Sequence, residues 1–228
     1  MKLVWDATGT REFESGVSQV ALFPMTAEGT YSNGIAWTGV TGIDESPSGA
    51  DATDLWADDI KYATLRSAEK FDFTITAFAY PDEWGECDGS AEAAPGVYLG
   101  QQGRKAFGLV YKTKIGDDTH PGMDKGYKLH IIYNSTASPS ARSYATINEN
   151  PDAITFSWSA SSTPATTGKY NYKAVSTITV DSTKTTSAKM TLLEEKLYGT
   201  ESKEATFMSP EEIIDLLKST TGGQTPVQ

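Results

Sequence analysis

The sequence predicts a mainly β fold, an antiparallel β-sandwich or barrel with one or two helices and long connecting loops. Three observations predict it. Apolar and polar residues alternate with period two in several stretches, clusters of Gly, Pro, Asn and Asp separate those stretches, and helical periodicity is confined to the C-terminal part. The clearest strand runs from Phe71 to Tyr80, with Phe71, Phe73, Ile75, Ala77 and Ala79 on one face. Ile154, Phe156 and Trp158 repeat the pattern, as do Tyr127, Leu129, Ile131 and Tyr133, and the run from Tyr172 to Val180. Residues 105–114 supply another strand, and weaker ones are expected at 2–6, 17–23, 35–44 and 143–147. Turn chemistry at Ser32-Asn33-Gly34, at Ser46-Pro47-Ser48-Gly49 and between Asp117 and Gly122 breaks the strands apart.

The helices come late. Residues 186–198 place Met190, Leu193 and Leu197 on one stripe, with Gly199 as a stop. A second helix over 209–218 has a strong start. Ser209 caps backbone amides, Pro210 suits the first turn, and Glu212 completes a capping box. Ile213, Ile214, Leu216 and Leu217 give it an apolar face, and beyond Gly222-Gly223 a flexible tail is expected. The organisation read from this is one β domain over 1–200, with long loops at 44–62 and 81–103, followed by the helix and tail of 201–228.

Composition narrows the function. A chain of 228 residues buries a core without crosslinks, and the lone Cys87 allows no internal disulfide, so the fold must tolerate a reducing cytoplasm. The N-terminal residues Met1 to Thr8 hold no apolar leader, and no stretch has transmembrane length, so neither secretion nor a membrane is expected. The Asn134-Ser135-Thr136 sequon is then a chance match. A net charge of −11 disfavours ordinary DNA or RNA binding, which needs a basic patch.

Chemistry is sparse. The two histidines, His120 and His130, have no partner recognisable in sequence, and no Gly-x-Ser-x-Gly elbow occurs. Cys87 lies among Glu83, Glu86 and Asp88, whose charge blunts a thiol. One cysteine and two distant histidines do not make a zinc site. Asp117, Asp118 and Asp124 miss the spacing of a calcium loop, and no glycine-rich phosphate loop opens a helix. Glu83, Glu86 and Trp84 resemble a sugar site only in type, two carboxylates beside an aromatic ring. The expectation is no enzyme, no cofactor and no metal.

The two long acidic segments are more informative. Residues 44–60 carry Asp44, Glu45, Asp51, Asp54, Asp58 and Asp59 without a Lys or Arg, yet also Leu55, Trp56 and Ile60. Residues 81–96 carry Asp82, Glu83, Glu86, Asp88 and Glu92 around Trp84. Apolar residues on such loops need a partner surface.

Several long segments resemble the major tail protein, or tail tube protein, of phages with long non-contractile tails. They are Asn33 to Ala50, Trp56 to Tyr62, Tyr80 to Trp84, Cys87 to Glu92, Gly100 to Arg104, Gly126 to His130 and Leu197 to Gly199. The resemblance covers most of 1–200 and is weaker over the C-terminal helix. It implies a structural subunit whose hexameric rings stack into a hollow tube with an acidic lumen that conducts the DNA genome during ejection. It implies as partners further copies of the chain, a tape-measure protein in the lumen, a tail terminator and distal tail proteins. It also implies that double-stranded DNA passes without specific binding, and that the protein resides in the virion tail after assembly in the host bacterial cytoplasm.

On that basis Leu55, Trp56, Ile60, Tyr62 and Trp84 are expected at inter-subunit contacts, with 44–62 a protruding loop or hairpin that docks on a neighbour. Asp44, Glu45, Asp51, Asp82, Glu83 and Glu86 are expected on the lumen or at ring contacts. The alternatives are another virion structural protein, such as a decoration protein or tail terminator, and a carbohydrate-binding module that uses exposed aromatic rings.

Overall fold

A computed structural model describes residues 3–147, 149 and 153–219. Twelve strands and three helices are present among them. In chain order they are β1 (Phe13–Pro24), β2 (Ile35–Trp37), β3 (Val40–Gly49), β4 (Ala52–Ala57), β5 (Ile60–Arg66), β6 (Glu69–Ala77), α1 (Trp84–Asp88), β7 (Ala91–Ala94), β8 (Val97–Leu99), β9 (Phe107–Gly116), β10 (Gly126–Ala137), β11 (Phe156–Ser162), β12 (Thr177–Asp181), α2 (Ser187–Leu197) and α3 (Pro210–Lys218). One antiparallel sheet takes eight strands in the order β2-β1-β9-β10-β11-β6-β3, with β12 beside β10. Two hairpins, β4–β5 and β7–β8, form separate ladders.

Alternation sorts the side chains of this sheet into two cores. Val20 and Leu22 of β1, Phe107, Leu109 and Tyr111 of β9, and Ile132 of β10 enter the first core. There they meet Phe71, Phe73, Ile75 and Ala77 of β6 and Trp158 of β11. The intervening residues, Ala21, Phe23, Val110, Leu129, Ile131 and Tyr133, enter a second core under α2 and α3. Strands β1 and β9 are therefore buried on both faces over Val20–Pro24 and Phe107–Tyr111. This explains why 107–111 reads as a near-continuous apolar run rather than an alternation. Gly108 is part of the same packing, since a Cβ there would lie 2.5 Å from the Phe207 ring.

Strand β10 joins the two halves. Its outer edge pairs with β12 over Lys128–Ile132 and with β11 over Ser135–Ala137, and a register shift separates the two ladders. Asn134 sits at the shift with φ 42°, its amide donating to the Tyr31 hydroxyl at 2.9 Å and its side-chain oxygen accepting from the same hydroxyl at 2.7 Å.

The predicted helices are present. Met190, Leu193 and Leu197 are all buried, and the Ser209–Glu212 capping box forms in both directions. Met208 and Ile213 lie in the second core, so 201–219 packs as part of the same body. The tail beyond Gly222 lies outside the described residues.

Some expectations need correction. Residues 3–6 and 143–147 form no strand, and Leu3, Val4 and Trp5 are more than 70% exposed. Alternation alone makes no strand where no neighbour supplies a ladder. The run from Tyr172 to Val180 yields only Thr177–Asp181, because Thr167 Oγ1 donates to the carbonyls of Tyr170 and Tyr172 and holds the earlier part in turns. Of the segments read as long loops, 44–62 takes the hairpin alternative, as β3, β4 and β5, and 81–103 holds α1, β7 and β8. Trp84 is also corrected: it is 0% exposed in the first core, so it lines no subunit contact.

Candidate assembly interface

The strand register builds a long ribbon. β3 pairs with β6 from Val40↔Ala77 to Gly49↔Glu69, and β4 pairs with β5 from Ala52↔Arg66 to Ala57↔Ile60. Between the two ladders Gly49 takes φ 87° and Ala50 φ 57°. Only glycine fits the first of these, because a Cβ at position 49 would lie 2.4 Å from the Ala68 carbonyl oxygen. The ribbon is tied across this kink by Ser67 N donating to Asp51 O and Asp51 N donating to Ser67 Oγ. At the tip, Asp58 and Asp59 both have positive φ, 52° and 61°. That is the type I′ pattern of a two-residue hairpin, and aspartate tolerates it better than most residues do.

The hairpin β4–β5 has two unlike faces. Directly opposed residues share a face. Thr53 with Leu65, Leu55 with Ala63, and Ala57 with Ile60 give one largely apolar side. Asp54 with Thr64 and Trp56 with Lys61 give the other, where Thr64 Oγ1 donates to Asp54 at 2.8 Å and Lys61 pairs with Asp54 at 2.8 Å. A register shift between Leu55 and Trp56 leaves Tyr62 as the extra residue of a bulge. Leu55, Trp56, Ile60, Tyr62 and Leu65 are 41–73% exposed. A lone two-stranded hairpin is marginally stable in water, and this one carries uncovered Leu, Ile, Trp and Tyr side chains.

The structure therefore brings Leu55, Trp56, Ile60 and Tyr62 together on one element. Leu65 completes its apolar face and was missed, since it extends past the segment delimited in the sequence. Asp58-Asp59 between Ala57 and Ile60 is only a weak hairpin signal, so the sequence leaves this pairing hidden.

The hairpin β7–β8 exposes Val97, Tyr98 and Leu99 in the same way, by 49–58%, without a sequence signal as strong. Its base is anchored deeply. Trp84 packs 4.6 Å from Trp37, 5.0 Å from Phe107 and 5.4 Å from Trp158, ring centre to ring centre. Asp88 is buried and bonded to Arg142, whose guanidinium lies over the rings of Tyr80 and Phe156.

The six acids fall on two elements. Asp44, Glu45 and Asp51 belong to the ribbon, and Asp82, Glu83 and Glu86 to the α1 turn. Among the described residues only two of them have a side-chain partner. Glu86 pairs with Lys105 at 2.5 Å, and Glu45 accepts from the Tyr111 hydroxyl at 2.5 Å.

The remaining reactive side chains are engaged within the fold. Cys87 is fully buried, and burial followed by the Glu86 charge pushes its thiol up to about 12. His130 stacks on Tyr111 at 4.6 Å, with Nε2 2.9 Å from Thr113 Oγ1 and 3.3 Å from Glu14, and burial lowers its pKa. His120 and Lys125 both face the buried Asp117, at 2.9 and 2.8 Å. The Lys125 ammonium, then Thr119, hold that carboxyl well below the usual range. Glu12 and Gly9 O also take bonds from Lys125, which ties the N-terminal arm to this turn.

A groove of about 580 Å³ between α2 and the β1–β2 edge is lined by Val20, Ile35, Leu197 and Tyr198. Its one lysine, Lys112, is held 2.9 Å from Glu194 and over the rings of Tyr127 and Tyr198. Among the described residues no three His, Cys, Asp or Glu side chains gather in a metal-binding cluster. No helix among them is long and apolar enough to cross a membrane. No family model matches the chain, and no curated protein matches it.

Proposed function

We propose that the chain is a tube subunit that acts by binding copies of itself: hexameric rings stack into a hollow phage tail tube that conducts DNA. The observation that carries this reading is the β4–β5 hairpin, an element with an apolar face and no covering layer among the described residues. A second copy is the partner that satisfies it, because every subunit offers both the hairpin and the surface that receives it. The ring of six and the DNA cargo come from the resemblance, which covers most of residues 1–200. The charge of −11 suits such a bore, since a wall of carboxylates repels phosphate and gives a passing duplex nothing to bind.

Negative-stain microscopy of the purified chain at rising concentration tests the reading. Long hollow tubes are expected. Rings that never stack point instead to a terminator, and a monomer at every concentration, including with the distal tail proteins added, overturns the proposal.

A further inference from the structure

We infer that the hydrogen bond between Tyr111 and Glu45 is a clasp that fixes the direction in which the β4–β5 hairpin projects, and so the readiness of one copy to engage the next. This rests on the self-assembly reading above. The register Ile43↔Ile75, Glu45↔Phe73, Pro47↔Phe71 puts Glu45 on the core-facing side of the edge strand β3. Ile43 packs against the first core, and from Asp44 onward β3 is exposed. Its partner β6 stays buried as far out as Phe73 and Phe71. The two legs of the ribbon thus leave the body unequally, β6 held by its aromatic rings and β3 held past Ile43 by Glu45.

An inward-pointing carboxylate on an edge strand is a poor core residue, yet it discourages unwanted edge pairing. Here it also has a fixed partner. Tyr111 lies in β9, on the first core, 4% exposed and stacked on His130. Its ring cannot follow the ribbon, so its hydroxyl is a fixed point. Among the described residues, this is the only side-chain hydrogen bond or ion pair that joins 44–68 to any strand other than β6. Tyr111 and Glu45 are therefore positioning residues: within the subunit they act through the hairpin they aim.

The test uses Tyr111→Phe, Glu45→Ala and Glu45→Gln in the full chain. Tyr111→Phe keeps the buried ring and removes only the hydroxyl. Spin labels on Ala57→Cys and Lys184→Cys report the distance from hairpin to body, and the buried Cys87 stays unlabelled. A narrow distance distribution is expected for the parent chain and for Glu45→Gln, whose amide oxygen still accepts the bond. A broad one is expected for Tyr111→Phe and Glu45→Ala, with melting temperatures near the parent's. The concentration at which tubes form should rise about tenfold in those two, the scale of one net hydrogen bond, and stay near the parent's in Glu45→Gln. Equal distributions in all four chains overturn the clasp. Broadened distributions with unchanged assembly overturn its link to assembly. A parent chain that builds no tubes overturns the assembly reading instead, while the label distances still decide the clasp.

Discussion

Trp56 and Trp84 lie in similar sequence surroundings, each amid Asp and Glu with few bases nearby, and they end in opposite places. Trp84 is 0% exposed at the centre of a cluster of four aromatic rings, whereas Trp56 is 69% exposed on a hairpin that no other described residues cover. Both segments leave the sheet as excursions between strands. The first turns back through α1 and drops its aromatic residue into the body. The second continues outward as a ladder whose polar groups pair only with each other. Local charge therefore says little about burial here. What decides it is whether the excursion meets a second layer of its own chain.

Four measurements would break or sharpen this contrast. The largest effect is expected from replacing 52–66 with a short turn. Tubes should vanish at concentrations where the full chain builds them, while the body melts within a few degrees of the parent, since the excised ladder contributes nothing to either core. Tubes of normal form would show that the hairpin is not the contact.

Next come the tryptophans themselves. Trp84→Ala should cost the isolated subunit about 3–5 kcal/mol in denaturant unfolding, the usual range for a fully buried aromatic ring. Trp56→Ala should change it by less than about 0.5 kcal/mol and still weaken assembly.

The thiol gives a pH test of the buried side. The folded chain holds the Cys87 proton up to about 12, against 9.0 for an ordinary thiol. Its contribution is therefore full below about pH 9 and is lost as pH rises towards 12, because the unfolded chain gives up its proton first. Tyr111 and Tyr133, also raised by burial, act in the same direction at higher pH. Stability should fall on the alkaline side, Cys87→Ala should flatten the part of the fall nearest pH 9, and alkylation at pH 8 should require denaturant.

The smallest effect is expected from Ser209→Ala. It removes one half of the capping box and should cost about 1 kcal/mol by the same unfolding assay.

Much of the body was legible from periodicity. The alternation of Phe71, Phe73, Ile75 and Ala77, the stripe of Met190, Leu193 and Leu197, and the cap at Ser209 are local signals, and each has its expected structure. The ribbon was only partly legible. Its apolar content marked 44–62, but the turn at Asp58-Asp59 depends on φ values that aspartate merely tolerates, so the pairing that adds Leu65 was hidden. Trp84 was misplaced for the opposite reason, since its environment comes from Trp37, Phe107 and Trp158, all distant in sequence.

The sequence by itself determined the strand periods, the late helices, the single thiol and the acidic balance, because each is set by residues within a few positions of one another or by simple count. The tertiary structure alone decided which of two acid-rich excursions is covered. It alone also placed Glu45 against Tyr111, 66 residues away. Both outcomes depend on how β9 and β6 are arranged across the first core, and that arrangement is a property of the whole sheet rather than of any segment within it.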